Sequence, residues 1–194
     1  MEQKEILGAI AAFISLASCP AYMWGIYKSG LKPHAFSWTI WGLITSIVFA
    51  AQVVEGAGAG AWNMGAAAAG TWAIAIAAFF YGERNITRSD WAAFVCALAA
   101  IPVWVMTKNP LPAVIIVSAI DSVSYWPTLR KSWIRPREES ALMFVAGSIA
   151  FVLSVFAQEN RNLTTLLYPV VITCMNILLI AMLLTRRRLM PERP

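Results

Sequence analysis

Apolar positions in this chain come in long runs, not in the one-sided stripes of a soluble helix or the alternation of a half-buried strand. Seven runs stand out, at roughly 6–27, 36–54, 59–81, 90–107, 110–130, 139–157 and 163–185. Each approaches the about 20 mostly apolar residues that a helix needs to cross a bilayer. The pattern predicts an all-α membrane protein with seven transmembrane helices. The second and third runs are separated only by Glu55 and "GAGAGAW". That stretch predicts a tight turn between closely packed helices, because small residues let backbones approach in lipid. The first run carries Pro20 and aromatics and has no small-residue cleavage site before Lys28. It reads as a retained span, not a cleaved leader.

Composition agrees. The 194 residues are 59% hydrophobic and 13% charged, with nine tryptophans, against about 25% charged in a soluble domain. The net charge of +5 is not a nucleic-acid signature, because the basic residues sit in short segments between apolar runs. With the N-terminus outside, the inner segments hold Lys28, Lys32, Arg84, Arg88, Arg130, Lys131, Arg135, Arg137, Arg186, Arg187, Arg188 and Arg193. The outer segments hold only Lys4, Lys108 and Arg161. This positive-inside bias predicts N-out and C-in, in a bacterial inner membrane. Cys19, Cys96 and Cys174 lie in apolar runs without a CxxC pair, so packing is their expected role. His34 falls in a loop. No Ser-His-Asp set, HExxH or phosphate loop occurs, so no enzyme, cofactor or metal is expected.

The chain also repeats. A shift of 103 aligns 15–37 with 118–140 and matches Ser15/Ser118, Tyr22/Tyr125, Lys28/Lys131, Ser29/Ser132, Pro33/Pro136 and Ser37/Ser140. Pro20 and Pro127 are related by 107 instead, so two registers stand. Gln52 and Gln158 close the next span of each half. The repeat comprises three spans, with the fourth between the copies: 1–85 forms a first bundle, 86–108 a linker helix, and 109–194 a second bundle with a basic tail. One intervening span makes the copies parallel, related by an axis along the membrane normal, with any substrate site between them near the midplane.

Ser118, Asp121, Ser122 and Tyr125 follow i, i+3, i+4, i+7 and share one helix face. Ser15, Ser18, Cys19 and Tyr22 form a similar face in the first span. Polar faces in lipid-embedded helices predict either a lined pathway or interhelical hydrogen bonding. A carboxylate costs about 2.5–3.5 kcal/mol at the centre of a span, so Asp121 binds substrate hydroxyls, carries a coupling proton or anchors a network. Asn63 and Asn176 offer amide donors and acceptors to a solute or to a neighbouring helix. Trp38 and Trp41, at the start of the second span, read as an interfacial aromatic belt. Arg130, Lys131, Arg135, Arg137 and the 186–188 triplet read as topology anchors.

The motifs "CPAYMWGIYKSG" and "WPTLRKSWIRP", in a 3+1+3 arrangement with a basic loop after each, resemble the PQ-loop and SWEET (MtN3/saliva) transporter superfamily. The resemblance implies alternating access between two three-helix bundles, with Pro20 and Pro127 as hinge or gating residues. It places a substrate-facing asparagine at Asn63 and offers Asn176 as its counterpart. The expected site is Asp121, Asn63, Asn176, Ser118, Ser122, Tyr125, Ser18 and Tyr22. A small polar solute, sugar-like first, is the implied substrate. A Pnu-type vitamin or nucleoside, or a proton-coupled amino acid, is the alternative. A non-transporting receptor or assembly factor on the same scaffold is a second class. The expected partners are the solute and the lipid bilayer; a homo-oligomer is compatible.

Overall fold

A computed structural model describes residues 2–28, 33, 35–82, 88–134, 136 and 141–190. Among these residues the secondary structure is helical, with no strand. The helices are α1 (Glu2–Lys28), α2 (Ala35–Val54), α3 (Trp62–Tyr81), α4 (Arg88–Thr107), α5 (Leu111–Ile134), α6 (Ala141–Ala157) and α7 (Leu163–Leu189). A 3₁₀ turn, Gly58–Ala61, leads into α3. Helices α1, α5 and α7 therefore run past the apolar runs that predicted them, whose bounds were 6–27, 110–130 and 163–185.

Among the described residues four helical segments are long and apolar enough to cross a membrane: Glu2–Lys28, Ala35–Val54, Gly58–Tyr81 and Leu163–Leu189. The apolar stretches Trp91–Thr107, Leu111–Tyr125 and Phe144–Ala157 are shorter. Large apolar side chains cover the outside. Phe13, Phe80, Met106, Val123 and Leu142 are each more than 70% exposed. Water would penalise such a surface. Lipid does not, and the chain is an integral membrane protein by this measure.

Helix α3 packs between α1 and α2, and α7 packs between α5 and α6. Exchanging α1, α2, α3 for α5, α6, α7 also maps the contact of α1 with α6 onto that of α2 with α5. The contact of α2 with α7 maps onto that of α3 with α6 in the same way. Helix α4 stands outside this pattern, against α5 and α2. The main core lies around α2, whose Ile40, Ile44, Ile47, Val48 and Ala51 form one buried face at helical spacing. They meet Ala97 and Ala100 of α4, Val114 and Val117 of α5, and Tyr168 and Ile172 of α7. In lipid this packing must hold the helices by close contact and hydrogen bonds, since tails are as apolar as the side chains.

The register of the repeat is neither 103 nor 107. Residues 28 and 134 end equivalent helices, and 35 and 141 begin the next ones, at a spacing of 106. Gln52 and Gln158 share that spacing. The loop match at 103 has a local cause: Pro33 lies just before α2, whereas Pro136 lies just after α5.

The α2–α3 turn fits its glycines. Gly56 and Gly58 adopt φ of 69° and 58°, the left-handed region that only glycine enters without strain. A Cβ at Gly60 would collide with Gln158, and one at Gly58 with the Glu159 carboxyl. The turn is thereby pressed against the α6–α7 connection. Helix α7 starts there with a capping box: the Asn162 side chain accepts from Thr165 N at 3.0 Å, and Thr165 Oγ1 accepts from Asn162 N at 3.1 Å.

Candidate functional site

At a spacing of 106, Ser15, Ser18, Cys19 and Gly70 correspond to Asp121, Ser124, Tyr125 and Asn176. In the first half Ser15 Oγ donates to Asn63 Oδ1 at 2.6 Å, linking α1 to α3. In the second half Tyr168 Oη donates to Asp121 Oδ2 at 2.7 Å, linking α7 to α5. One turn further on, the Cys19 thiol points at the Gly70 carbonyl at 3.9 Å, and Tyr125 Oη donates to Asn176 Oδ1 at 2.6 Å. Ser18 and Ser124 are a third pair, each bonded to the carbonyl three residues back, at 2.8 and 2.5 Å. The same scaffold position thus carries a small residue in one half and a large polar residue in the other.

That difference creates a cavity. Between α1, α3 and α6 lies a space of about 330 Å³. Ser15, Ser18, Cys19, Gly70 and Thr71 line it, with Trp38 of α2 and Gly147 of α6. At the equivalent positions of α5, α7 and α2 the side chains are larger. Asp121 stands there in place of Ser15, Tyr125 in place of Cys19, Asn176 in place of Gly70 and Trp41 in place of Gly147. Asp121 is buried, and its carboxylate takes hydrogen bonds from Tyr168 and Ser124. Its carboxylate therefore ties α5 to α7 within its own bundle.

The expected site residues are accordingly divided. Ser18 lines the cavity, and Asn63 holds Ser15, which also lines it. Asn176 stands behind Gly147, whose Cβ position is 3.6 Å from Nδ2, and it connects Tyr125 to that wall. Tyr22 packs on Trp38, with ring centroids 5.0 Å apart. Asp121 belongs to the other interface and is not among the cavity's lining residues. Ser118 is buried one turn before it on α5, with no partner for its hydroxyl. Ser122 Oγ bonds back to Ser118 O, at 2.7 Å. Asn63 lies at the start of α3 and Asn176 near the middle of α7, so the two asparagines are not equivalent. Pro20 is exposed on α1. The Pro127 side chain, like His34, lies outside the described residues.

Trp38 forms a cavity wall and packs edge-on against Trp41, with ring centroids 5.2 Å apart. A belt position follows from depth, but the side a residue faces follows from packing. Gly70, Thr71 and Gly147 were missed because nothing in a sequence marks a small residue as bordering space. The only available signal was the volume difference between halves, which needs the correct register.

The opposite wall of this interface is closed at the α2–α3 turn. Gln52 Nε2 of α2 and Gln158 Nε2 both donate to Thr165 O, at 3.1 and 2.7 Å. Asn162 Nδ2 donates to Glu55 Oε2 at 2.6 Å, Asn160 Nδ2 to Glu55 O at 2.8 Å, and Glu159 N to Ala57 O at 3.0 Å. Among the described residues, these bonds join the two halves at this end. The cavity lies towards the other end, bounded there by Trp38 and Leu142 near the starts of α2 and α6.

No protein-family model matches the chain, and comparison with curated proteins and with solved structures gives no match either.

Proposed function

We propose that the chain is a transporter of a small, neutral polar solute, working by alternating access between an α1–α3 bundle and an α5–α7 bundle. In this reading all seven helices cross the membrane in a 3+1+3 order, with α4 as linker, N-out and C-in. The observation that carries it is the cavity between the halves, whose largely apolar lining includes the hydroxyls of Ser15, Ser18 and Thr71, next to a zipper of hydrogen bonds that closes one end among the described residues. The positive-inside rule puts the closed end outside, so the arrangement corresponds to an inward-facing state. Rocking would break the Glu55–Asn162 and Gln52–Thr165 bonds and close α1 on α6 at the basic end.

Among the described residues the lining contains no charged side chain. A charged solute would lose its hydration without a partner, which favours a sugar-like or nucleoside-like neutral molecule able to bond Ser15, Ser18 and Thr71. The non-transporting alternative has no comparable support, because a receptor or assembly factor needs no interior cavity.

A thermal-shift screen of the purified protein against sugars, nucleosides, vitamins and amino acids tests the reading. One class should raise Tm by mass action, and Gly147→Leu, which fills the cavity, should abolish the shift. Failure of every class, or an undiminished shift in Gly147→Leu, would remove the basis of the proposal.

A further inference from the structure

At the basic end of the second half, the outer surfaces of α5 and α7 leave a groove of about 680 Å³. Its walls are Leu129 and Trp133 on α5, and Leu178, Ala181 and Met182 on α7. The groove is separate from the cavity between the bundles and shares no residue with it. From Leu178 to Leu189, which also lines it, a helix rises about 16 Å. That length matches one leaflet of hydrocarbon, about 15 Å.

The mouth of the groove is built around a cation. The Arg186 guanidinium stacks on the Trp133 ring, 4.5 Å from its centroid, and Nε donates to Trp133 O at 3.0 Å. A further contact runs from its Nη2 to Met190 Sδ at 3.3 Å. These interactions use two of the five N–H groups of the fork. Arg187 is fixed beside it through Nε to Pro136 O at 2.9 Å, and Arg188 follows. A basic cluster of this kind next to a membrane surface attracts anionic headgroups. A stacked guanidinium fork also suits the two oxygens of a phosphate better than a lysine would.

We infer that the α5–α7 groove is a binding site for an anionic phospholipid, with an acyl chain along Leu178–Leu189 and its phosphate on Arg186. Charge complementarity selects the occupant. A second copy of this chain would bring its own arginines to the same end and meet like charge, and a free anion would leave the apolar walls uncovered. The site requires only the groove and its cation, so it stands whether or not the protein transports a solute.

Native mass spectrometry of the full chain released from nanodiscs of equal phosphatidylglycerol and phosphatidylcholine tests this. The wild type should retain one phosphatidylglycerol, with roughly fivefold preference, the effect of about one basic side chain near an anionic surface. Arg186→Gln should erase that preference. Ala181→Trp keeps every charge but blocks the groove, and should lower retention of either lipid severalfold while Tm in detergent stays near the wild-type value. Equal retention of the two lipids by the wild type would overturn the inference. So would wild-type retention by Ala181→Trp, a lipid-free dimer, or equal stabilisation by inorganic phosphate alone.

Discussion

Pro169 sits inside α7, and a proline there has no N–H for the carbonyl four residues earlier. That carbonyl is Thr165 O, and the two glutamines answer it, Gln52 from α2 at 3.1 Å and Gln158 from the end of α6 at 2.7 Å. Both glutamines are fully buried. Replacing one by Leu removes an interhelical bond, worth about 0.6 kcal/mol and at most about 1.7 in membrane bundles. It also removes a buried Oε1 that has no partner, which offsets part of the loss. Each single substitution should therefore cost less than about 1 kcal/mol. Replacing both leaves Thr165 O buried and unserved, a penalty of about 1–3 kcal/mol. The double variant should thus exceed the sum of the singles by about 1 kcal/mol or more. Pro169→Ala restores an N–H at the right position, so in that background the excess should vanish. Reversible unfolding in mixed detergent micelles reads this directly, run on the four members of the cycle first with Pro169 intact and then with Pro169→Ala added to each. Additivity within about 0.5 kcal/mol, or an excess that survives in the Pro169→Ala background, would refute the account of the shared carbonyl.

Other outcomes follow from the same contacts. Tyr168→Phe removes the hydroxyl from the Asp121 carboxylate and should destabilise by about 1–3 kcal/mol; Asp121→Asn in the same background should recover part of that, as read by thermal unfolding in detergent. Gly60→Ala places a methyl against the Gln158 backbone and should cost about 1–3 kcal/mol by overpacking, seen as a lower unfolding midpoint. In a protein with Cys96→Ala and Cys174→Ala, the Cys19 thiol should react with a small hydrophilic maleimide, and the solute found by thermal shift should slow that reaction. Gly56→Cys should label from outside the cell, while a reporter joined beyond Arg188 should be cytoplasmic; reversal of both would overturn the N-out orientation.

The helices were legible because lipid demands long apolar stretches and tolerates few charges, which leaves their positions written in composition. Asp121 was legible as a residue needing a reason, since its cost in a span is large. Its partner Tyr168 was not, because it meets the carboxylate across a helix interface that periodicity does not describe. The repeat was visible but three residues out of step. Loops slide relative to helices, so Pro33 and Pro136 aligned best although one precedes a helix and the other follows one. With the loop register, Ser15 met Ser118 and Tyr22 met Tyr125, and the replacement of Ser15 by Asp121 and of Gly147's counterpart by Trp41 stayed hidden. The cavity follows from those replacements.

The central claim is that the two bundles must part at the α2–α3 turn for solute to pass. Uptake into proteoliposomes tests it most directly, using the solute identified by thermal shift and a Glu55→Cys/Asn162→Cys protein whose native cysteines are replaced by serine. Bridging the new pair with a short, reducible bifunctional thiol reagent should abolish uptake, and reduction should restore it. Equal uptake by the bridged and the reduced protein would contradict alternating access through this interface.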